Sequence, residues 1–354
     1  MSDVLDSPAV RVPRAALAAF GRALLASAGA PPAHAQVVVD HLLEADAMGL
    51  RSHGVMRIPQ YLDDVAAGAT DPAAVPTVDS PAPGRAAVDG NLGFGQVVGM
   101  AMAAEAVRLA GTTGVAFVTG RRMGHSGRVG AYAEAIARQG LVGVVVCGGP
   151  RSGHRVAPFG GLEGRLATNP IAFAYPSEAG APVVADFSTS VAPEGVIRSL
   201  LHRGLPAPPG ALRDAQGNPT ADPAVLYADP AGAIQPLGGA VGYRGTALGI
   251  LVDVLAALLA GDAAEDEARA GSNLAMLALA TDAGFAGRAS RMGDYLRSSP
   301  AIDPARPVML PGERERQAVL HAADGPVPVD GPTWAAMLQA GAAADIEAPP
   351  ALPG

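Results

Sequence analysis

The stretch Gly93-Phe94-Gly95-Gln96-Val97-Val98-Gly99 decides which kind of α/β protein this chain can be. Glycines packed this closely ahead of an apolar helix suggest the phosphate-binding turn of a dinucleotide fold. That turn also needs a preceding strand, a third glycine in register and an acidic residue about 20 positions on. Here the third glycine comes one residue late, no clear strand stands in front, and no carboxylate follows at the right distance. A tight helix entry explains the glycines, and a standard Rossmann domain is not expected.

Outward from that stretch the pattern remains layered. Over residues 85–147, β-type runs at 115–118 and 142–146 alternate with alanine-rich helical segments at 97–109 and 131–138, as in a sheet covered on both faces. A strand pair is expected at 171–175 and 183–186, with a helix at 194–201. Residues 12–68 read as helical, with Pro31-Pro32 opening a second helix, and a proline-rich connection runs on to Gly84. Downstream, residues 205–236 are rich in Pro, Gly and Asp and read as a surface excursion. An apolar helix at 246–260, a solvated acidic turn at 261–267, a strand at 274–279 and two or three amphipathic helices follow. The expected units are a helical region (1–80), an α/β core (81–300), closing helices (301–342) and a frayed tail (343–354).

Bulk composition narrows the chemistry. With 49% apolar and 16% charged residues over 354 positions, the chain buries a large core. A formal charge of −8 argues against nucleic acid, which needs a basic face. The single cysteine, Cys147, ends an apolar run, so a buried strand residue in a reducing compartment is expected. There is no lysine, and all 25 basic residues are arginine. Schiff-base chemistry, a pyridoxal-phosphate anchor and a P-loop lysine are therefore excluded, and proton transfer falls to His, Asp, Glu, Tyr or Cys. Residues 14–35 mimic a signal peptide, but Asp3, Asp6 and Arg22 favour an amphipathic helix. Residues 246–260 are short for a bilayer and carry Asp253. A cytoplasmic protein with no membrane or nucleic-acid partner is expected, and no metal ligand cluster is evident.

Polar groups gather in two places. In residues 51–61, His53, Arg57 and Tyr61 recur every fourth position, so a helix through them would align an imidazole, a guanidinium and a phenol. Arginine can grip a carboxylate with two donors and histidine can move a proton near neutral pH; a solvated helix face is the alternative, and Pro59 would kink a continuous helix. In residues 121–132, Arg121-Arg122-Met123-Gly124-His125-Ser126-Gly127-Arg128 follows a strand and opens a helix. Backbone N–H groups at Ser126, Gly127 and Arg128 are thereby expected to meet an anion, with His125 at the strand's carboxyl end. Two further strand ends, Thr168-Asn169-Pro170 and Asp186-Phe187-Ser188, could converge on the same cleft.

These segments, in this order, resemble the malate/L-lactate dehydrogenase family of NAD(P)-dependent 2-hydroxyacid oxidoreductases, a group that includes ureidoglycolate dehydrogenase and piperideine-2-carboxylate reductases. The likeness runs from Ala45-Asp46 through Ser52-His53-Gly54, Arg57, Tyr61, His125-Ser126-Gly127, Thr168-Asn169-Pro170, Asp186-Phe187-Ser188, Gly242-Tyr243-Arg244-Gly245 and Leu310-Pro311-Gly312-Glu313. It implies an α/β fold with a non-Rossmann cofactor-binding domain and a helical N-terminal region. It implies catalytic roles for His125, or for Ser52 and His53, with Asp186 orienting or balancing charge. Arg57, Tyr61, Thr168 and Arg244 would hold the substrate. Ser126, Gly127, Arg128, Gly149, Asn169, Phe187, Ser188, Pro311, Gly312 and Glu313 would line NAD or NADP. A small carboxylate substrate and a homodimer, with the active site near the subunit boundary, are also implied. Two departures stand out: Arg244 where members carry lysine, and Gly148-Gly149 in place of Asn-Ser. A reductase of cyclic 2-imino acids, or an idle nucleotide-binding sensor, are the alternatives. Arg121, Arg122 and Arg128 are candidates for a 2′-phosphate or for simple solvation.

Overall fold

The computed structural model describes residues 10–261, 271–322 and 325–353. In chain order the elements are β1 (Val10–Val12), α1 (Arg14–Ser27), α2 (Pro32–Ala47), α3 (Ile58–Ala66), β2 (Thr77–Ala82), β3 (Arg85–Gly93), α4 (Gly95–Thr113), β4 (Val115–Met123) and α5 (Gly130–Ala137). Then come β5 (Val142–Gly148), β6 (Ile171–Tyr175), β7 (Val183–Phe187), α6 (Glu194–His202), β8 (Leu212–Arg213), β9 (Pro219–Thr220), β10 (Ala233–Ile234) and α7 (Tyr243–Ala256). The chain closes with β11 (Ser272–Leu279), α8 (Phe285–Arg297), α9 (Glu313–Ala322), β12 (Val327–Val329), α10 (Gly331–Ala343) and β13 (Leu352–Pro353).

The central sheet has seven strands in the order β2-β3-β4-β11-β5-β6-β7. Only β3 and β4 run parallel, joined by α4, and every other pair is antiparallel. That order is not the doubly wound one, so the exclusion of a Rossmann domain holds. The sequence reading nonetheless misses β3, whose polar Asp89 and Asn91 and glycine breaks dilute its β pattern. The glycines that follow serve packing rather than phosphate. A Cβ on Gly95 would overlap the His125 carbonyl, and one on Gly99 would overlap the Tyr132 ring. Helix α4 thus lies hard against the segment that carries His125.

Helices α4 and α5 cover one face of the sheet, where Val98, Met102, Tyr132 and Ile136 bury against Val118, Val145 and Met276. On the other face α7 packs Val252 and Ala256 onto Val146 and Ala275. A second core joins α1, α2, α3 and α10 through Leu17, Phe20, Leu24, Val38, Leu42, Ile58, Trp334 and Met337. The C-terminal helix thereby completes the N-terminal region. Two expectations need correcting. Residues 205–236 are no mere surface loop, since β10-β8-β9 form a small sheet whose Leu212, Leu226 and Ile234 bury with Ile197 and Val156. The tail is tied down as well, because β13 and β12 flank β1 in an antiparallel trio. Most of the acidic turn at 261–267 lies outside the described residues.

Candidate active site

Two 3₁₀ turns, Arg51–His53 and Val55–Arg57, lead into α3. The single helix expected through His53, Arg57 and Tyr61 is therefore broken. Pro59 occupies the first turn of α3, where its missing N–H costs nothing, and the chain upstream winds as separate turns. Asp46, near the end of α2, holds them: its Oδ2 accepts the Val55 N–H at 2.9 Å, and any Cβ on Gly54 would overlap the same carboxylate. Burial pushes Asp46 up to about 7, against the pull of the Val55 N–H and of Arg51 and Arg14.

The polar side chains still converge. The Tyr61 hydroxyl lies 2.8 Å from His125 Nδ1 and accepts from Gln96 Nε2 at 2.7 Å. The His125 ring faces that of His53 with centroids 5.9 Å apart and planes at 24°, and Ser52 Oγ lies 3.0 Å from His53 Nδ1. Arg57 is buried, donating through Nε to the Ser52 carbonyl and through Nη1 to Gln60 Oε1, both at 2.7 Å. Among the described residues no carboxylate stands within salt-bridge reach of it. A Cβ on Gly195 would come 2.8 Å from Arg57 Nη2, so the glycine keeps that side clear.

Burial, followed by the nearby positive charge of Arg57, holds His125 well below the usual imidazole range. The same causes bring His53 down to about 4, and His41 falls to about 3 through burial and Arg128. All three are neutral at pH 7. His41 escaped the sequence reading, although its place on the apolar face of α2 beside Leu42 marks it as buried. Its Nε2 accepts the Arg128 N–H at 2.9 Å. That donor is accordingly not free for an anion, contrary to the expectation. The Arg128 side chain is also committed, 4% exposed and reaching Glu44 and Glu134. Gln96, fully buried, was missed too, and nothing in its sequence surroundings marks it.

The opposite wall comes from strand ends. Asp186, at the end of β7, accepts the Gly130 N–H at 2.8 Å through Oδ2 and stands at the open face of the cleft. Crowding by neighbouring atoms raises its pKa, against the Gly130 N–H and the Arg128 charge. Beside this strand end, and reaching the buried cluster through Ser52 and His53, runs a cleft of about 760 Å³; His125, Arg57 and Tyr61 lie behind that pair and do not themselves line it. It collects Ser52, His53, Gly127, Arg128, Thr168, Asp186, Phe187, Ser188, Pro311 and Gly312 from five separate segments that the sequence reading singles out.

Other expected residues stand apart from that lining. Ser126 is buried against Cys147, whose thiol burial pushes up to about 11, and its carbonyl accepts from Tyr132. Asn169, in the left-handed region at φ 41°, donates to the Gly249 carbonyl and to Asp253, leaving its Oδ1 without a partner. Glu313 caps its own helix by accepting from Leu310 N and pairs with Arg297. Gly149 lies against Ala167. Arg121 and Arg122 pair with Asp89 on the far side of β4, so the arginines of the cleft are instead Arg128, Arg138, Arg314 and Arg316. Arg244 sits exposed at the start of α7, stacked on Tyr243, and its own chain does not bring it to the cleft. Tyr61 has its hydroxyl taken up by His125 and Gln96 rather than turned to a carboxylate.

Residues 12–338 match the family described as malate/L-lactate dehydrogenase. The chain belongs to the malate/L-lactate dehydrogenase family. Within that family it is 33% identical to an L-lactate dehydrogenase of Cupriavidus necator, an alignment covering 86% of this chain and 90% of that one. The malate dehydrogenase of Pyrococcus horikoshii superposes with a TM-score of 0.85 at 26% identity, covering 96% of this chain and 97% of that one. The delta1-piperideine-2-carboxylate reductase of Pseudomonas syringae superposes at 0.81 and 27% identity, covering 93% and 99%. A malate/L-lactate dehydrogenase family member is an oxidoreductase of hydroxy acids, and its family implies a nicotinamide cofactor. The cleft suits such a group. It exceeds what a small hydroxy acid would fill, and it pairs an apolar wall of Val184, Val196, Met309 and Leu310 with the cationic Arg138, Arg314 and Arg316. Gly127 and Gly312, at φ 67° and 80°, bring backbone to its surface where a side chain would be strained.

Proposed function

We propose that this enzyme interconverts a small 2-hydroxy carboxylate and its 2-oxo counterpart, with His125 moving the proton at the C2 oxygen and Arg57 holding the carboxylate. The bound cofactor, NAD or NADP, supplies or accepts the hydride at C2. The observation that carries the reading is the juxtaposition of a neutral imidazole, its Nδ1 already engaged by Tyr61, with a buried guanidinium that has no carboxylate within salt-bridge reach among the described residues. Nε2 of His125 is then the atom left for substrate. The carboxylate of the substrate satisfies Arg57, and its charge draws the His125 pKa back towards neutrality. Ser52 and His53 shield the opposite side of the ring and make the second candidate for the proton. Asp186 holds the N-terminus of α5 at the cofactor end, where Gly127, Phe187, Ser188, Pro311 and Gly312 would surround the dinucleotide.

His125→Ala is expected to lower kcat by ~10²–10⁴-fold while fluorescence titrations of NADH and NADPH stay as in the wild type. Equal turnover in His125→Ala and wild type, with His53→Ala inactive, would transfer the role to His53. The same titrations choose between the two cofactors, and a 2′-phosphate would meet Arg138, Arg314 or Arg316. The similarity to the piperideine-2-carboxylate reductase supports a second reading, a cyclic 2-imino acid taking the same proton on nitrogen, and a substrate screen separates the two.

The open face of α7 supports a paired assembly. Tyr243, Ile250, Leu251 and Val254, with Leu258 and Leu259 just beyond, leave a broad apolar face open. The segment Tyr243–Ala260 has 18 residues, long and apolar enough to cross a membrane by length and composition, so the expectation that it is too short fails on length alone. A second copy of the chain covering this face would make a homodimer and offer Arg244 a route to the partner's cleft. The lone buried Cys147 suits a reducing cytoplasm.

A further inference from the structure

Arg57 and His125 account for C1 and C2 of a substrate and leave its further substituent open. A second cavity, of about 540 Å³, adjoins the main cleft and shares Thr168 with it. Helix α6 stands between the two: Pro193 and Val196 line the cleft, whereas Glu194, Arg198, Leu201 and His202 line the cavity. Gly195 lies against Arg57, and Arg198 follows one turn on, about 4.5 Å along the helix axis. The positive charge of Arg198 lowers the pKa of both Arg57 and His125, as a cation beside the same site must.

The lining is cationic. Arg155, Arg198 and His202 face, among the described residues, one carboxylate, that of Glu194, in a chain whose formal charge is −8. Glu194 fixes Arg198 in place. Its Oε1 accepts from Arg198 Nε at 3.0 Å and Nη2 at 2.8 Å, and from the Tyr227 hydroxyl at 2.8 Å. The Nη1 donors of Arg198 lie outside that ion pair, and its side chain is 38% exposed. Ala167 and Leu201 supply what aliphatic surface the cavity has, so it suits a charged substituent better than an alkyl one.

We propose that this cavity receives the substituent beyond C2, and that Arg198, positioned by Glu194 and Tyr227, is a specificity-determining residue that selects a substituent ending in an acidic group. The inference rests on the reading of Arg57 as the anchor of the C1 carboxylate. From that anchor the substrate extends past Thr168 and over the first turn of α6. A site built to pair a second acid group discriminates against the analogue that lacks it, because its donors are then left unmatched.

The test uses the full-length holoenzyme and compares kcat/KM for reduction of oxaloacetate and of pyruvate, which differ in the second carboxylate. The wild type is expected to favour oxaloacetate, and Arg198→Met to lower that preference roughly 10–100-fold. Both substrates share the proton step, so any change at His125 that follows from losing the Arg198 charge cancels in the ratio. Should Arg198→Met not fold, Arg198→Gln takes its place. Succinate and butyrate lack the C2 oxygen and read recognition without turnover. In calorimetry the wild type is expected to bind succinate more tightly than butyrate, and the variant to lose that difference. A wild type that favours pyruvate, a ratio unchanged by the substitution, or succinate bound no better than butyrate would each overturn the proposal. If neither oxo acid is reduced while succinate is still favoured through Arg198, the hydride-transfer reading fails and the role of the cavity stands.

Discussion

Arg57 is buried and, among the described residues, has no carboxylate within salt-bridge reach, a costly arrangement unless an anion arrives. Arg57→Ala is expected to raise KM for a 2-oxo acid roughly 10–100-fold with a smaller change in kcat, measured by steady-state kinetics. Arg57→Lys should restore little of this, because an ammonium cannot reproduce donors fixed simultaneously by Ser52 and Gln60. The pH dependence follows from the lowered His125 pKa. Reduction needs the protonated imidazole, and burial makes that form scarce at pH 7, so kcat/KM for reduction should fall as pH rises from 5 to 8. For oxidation, which needs the neutral form, kcat/KM should be flat over the same range. At this scale the sequence displayed His53, Arg57 and His125, because a cation or an imidazole beside glycines is chemically conspicuous. It hid His41 and Gln96, whose partners lie 87 and 35 residues away.

Among elements, the turn at 51–57 depends on one carboxylate. Asp46 titrates in the folded protein at about 7, against 3.8 for an unperturbed group, so its neutral form is the one folding favours. The stability it contributes is complete below about pH 4 and is lost as pH rises through 7. Asp46→Asn keeps an oxygen for the Val55 N–H and removes that ionisation. The Tm of wild type relative to Asp46→Asn should therefore decline between pH 5 and 8, as followed by circular dichroism. A constant difference would mean that Asp46 does not titrate there. The same turn shows where periodicity misleads: a four-residue recurrence in sequence predicts one helix face, yet the side chains meet through two 3₁₀ turns. Pro59 was the local signal of the break.

For the whole molecule the open face of α7 is the feature to test. Ile250→Glu combined with Leu258→Asp is expected to yield a monomer in sedimentation experiments and to depress activity. Those side chains already lie in water in one copy, 52% and 70% exposed, so the thermal stability of the chain itself should change little. A dimer that persists in this variant would place the interface elsewhere.

From the chain alone came the alternating layers, the failure of the Gly93–Gly99 stretch as a phosphate turn, and most of the segments that line the cleft. These are readable because strand and helix periods, glycine spacing and missing lysines are local properties. Only the folded chain decided that the sheet is almost wholly antiparallel, that Arg128 is committed to Glu44, Glu134 and α2, and that Tyr61 serves His125. Pairing order and hydrogen-bond partners arise between residues far apart along the polymer, where packing and desolvation select among contacts that no window of sequence contains.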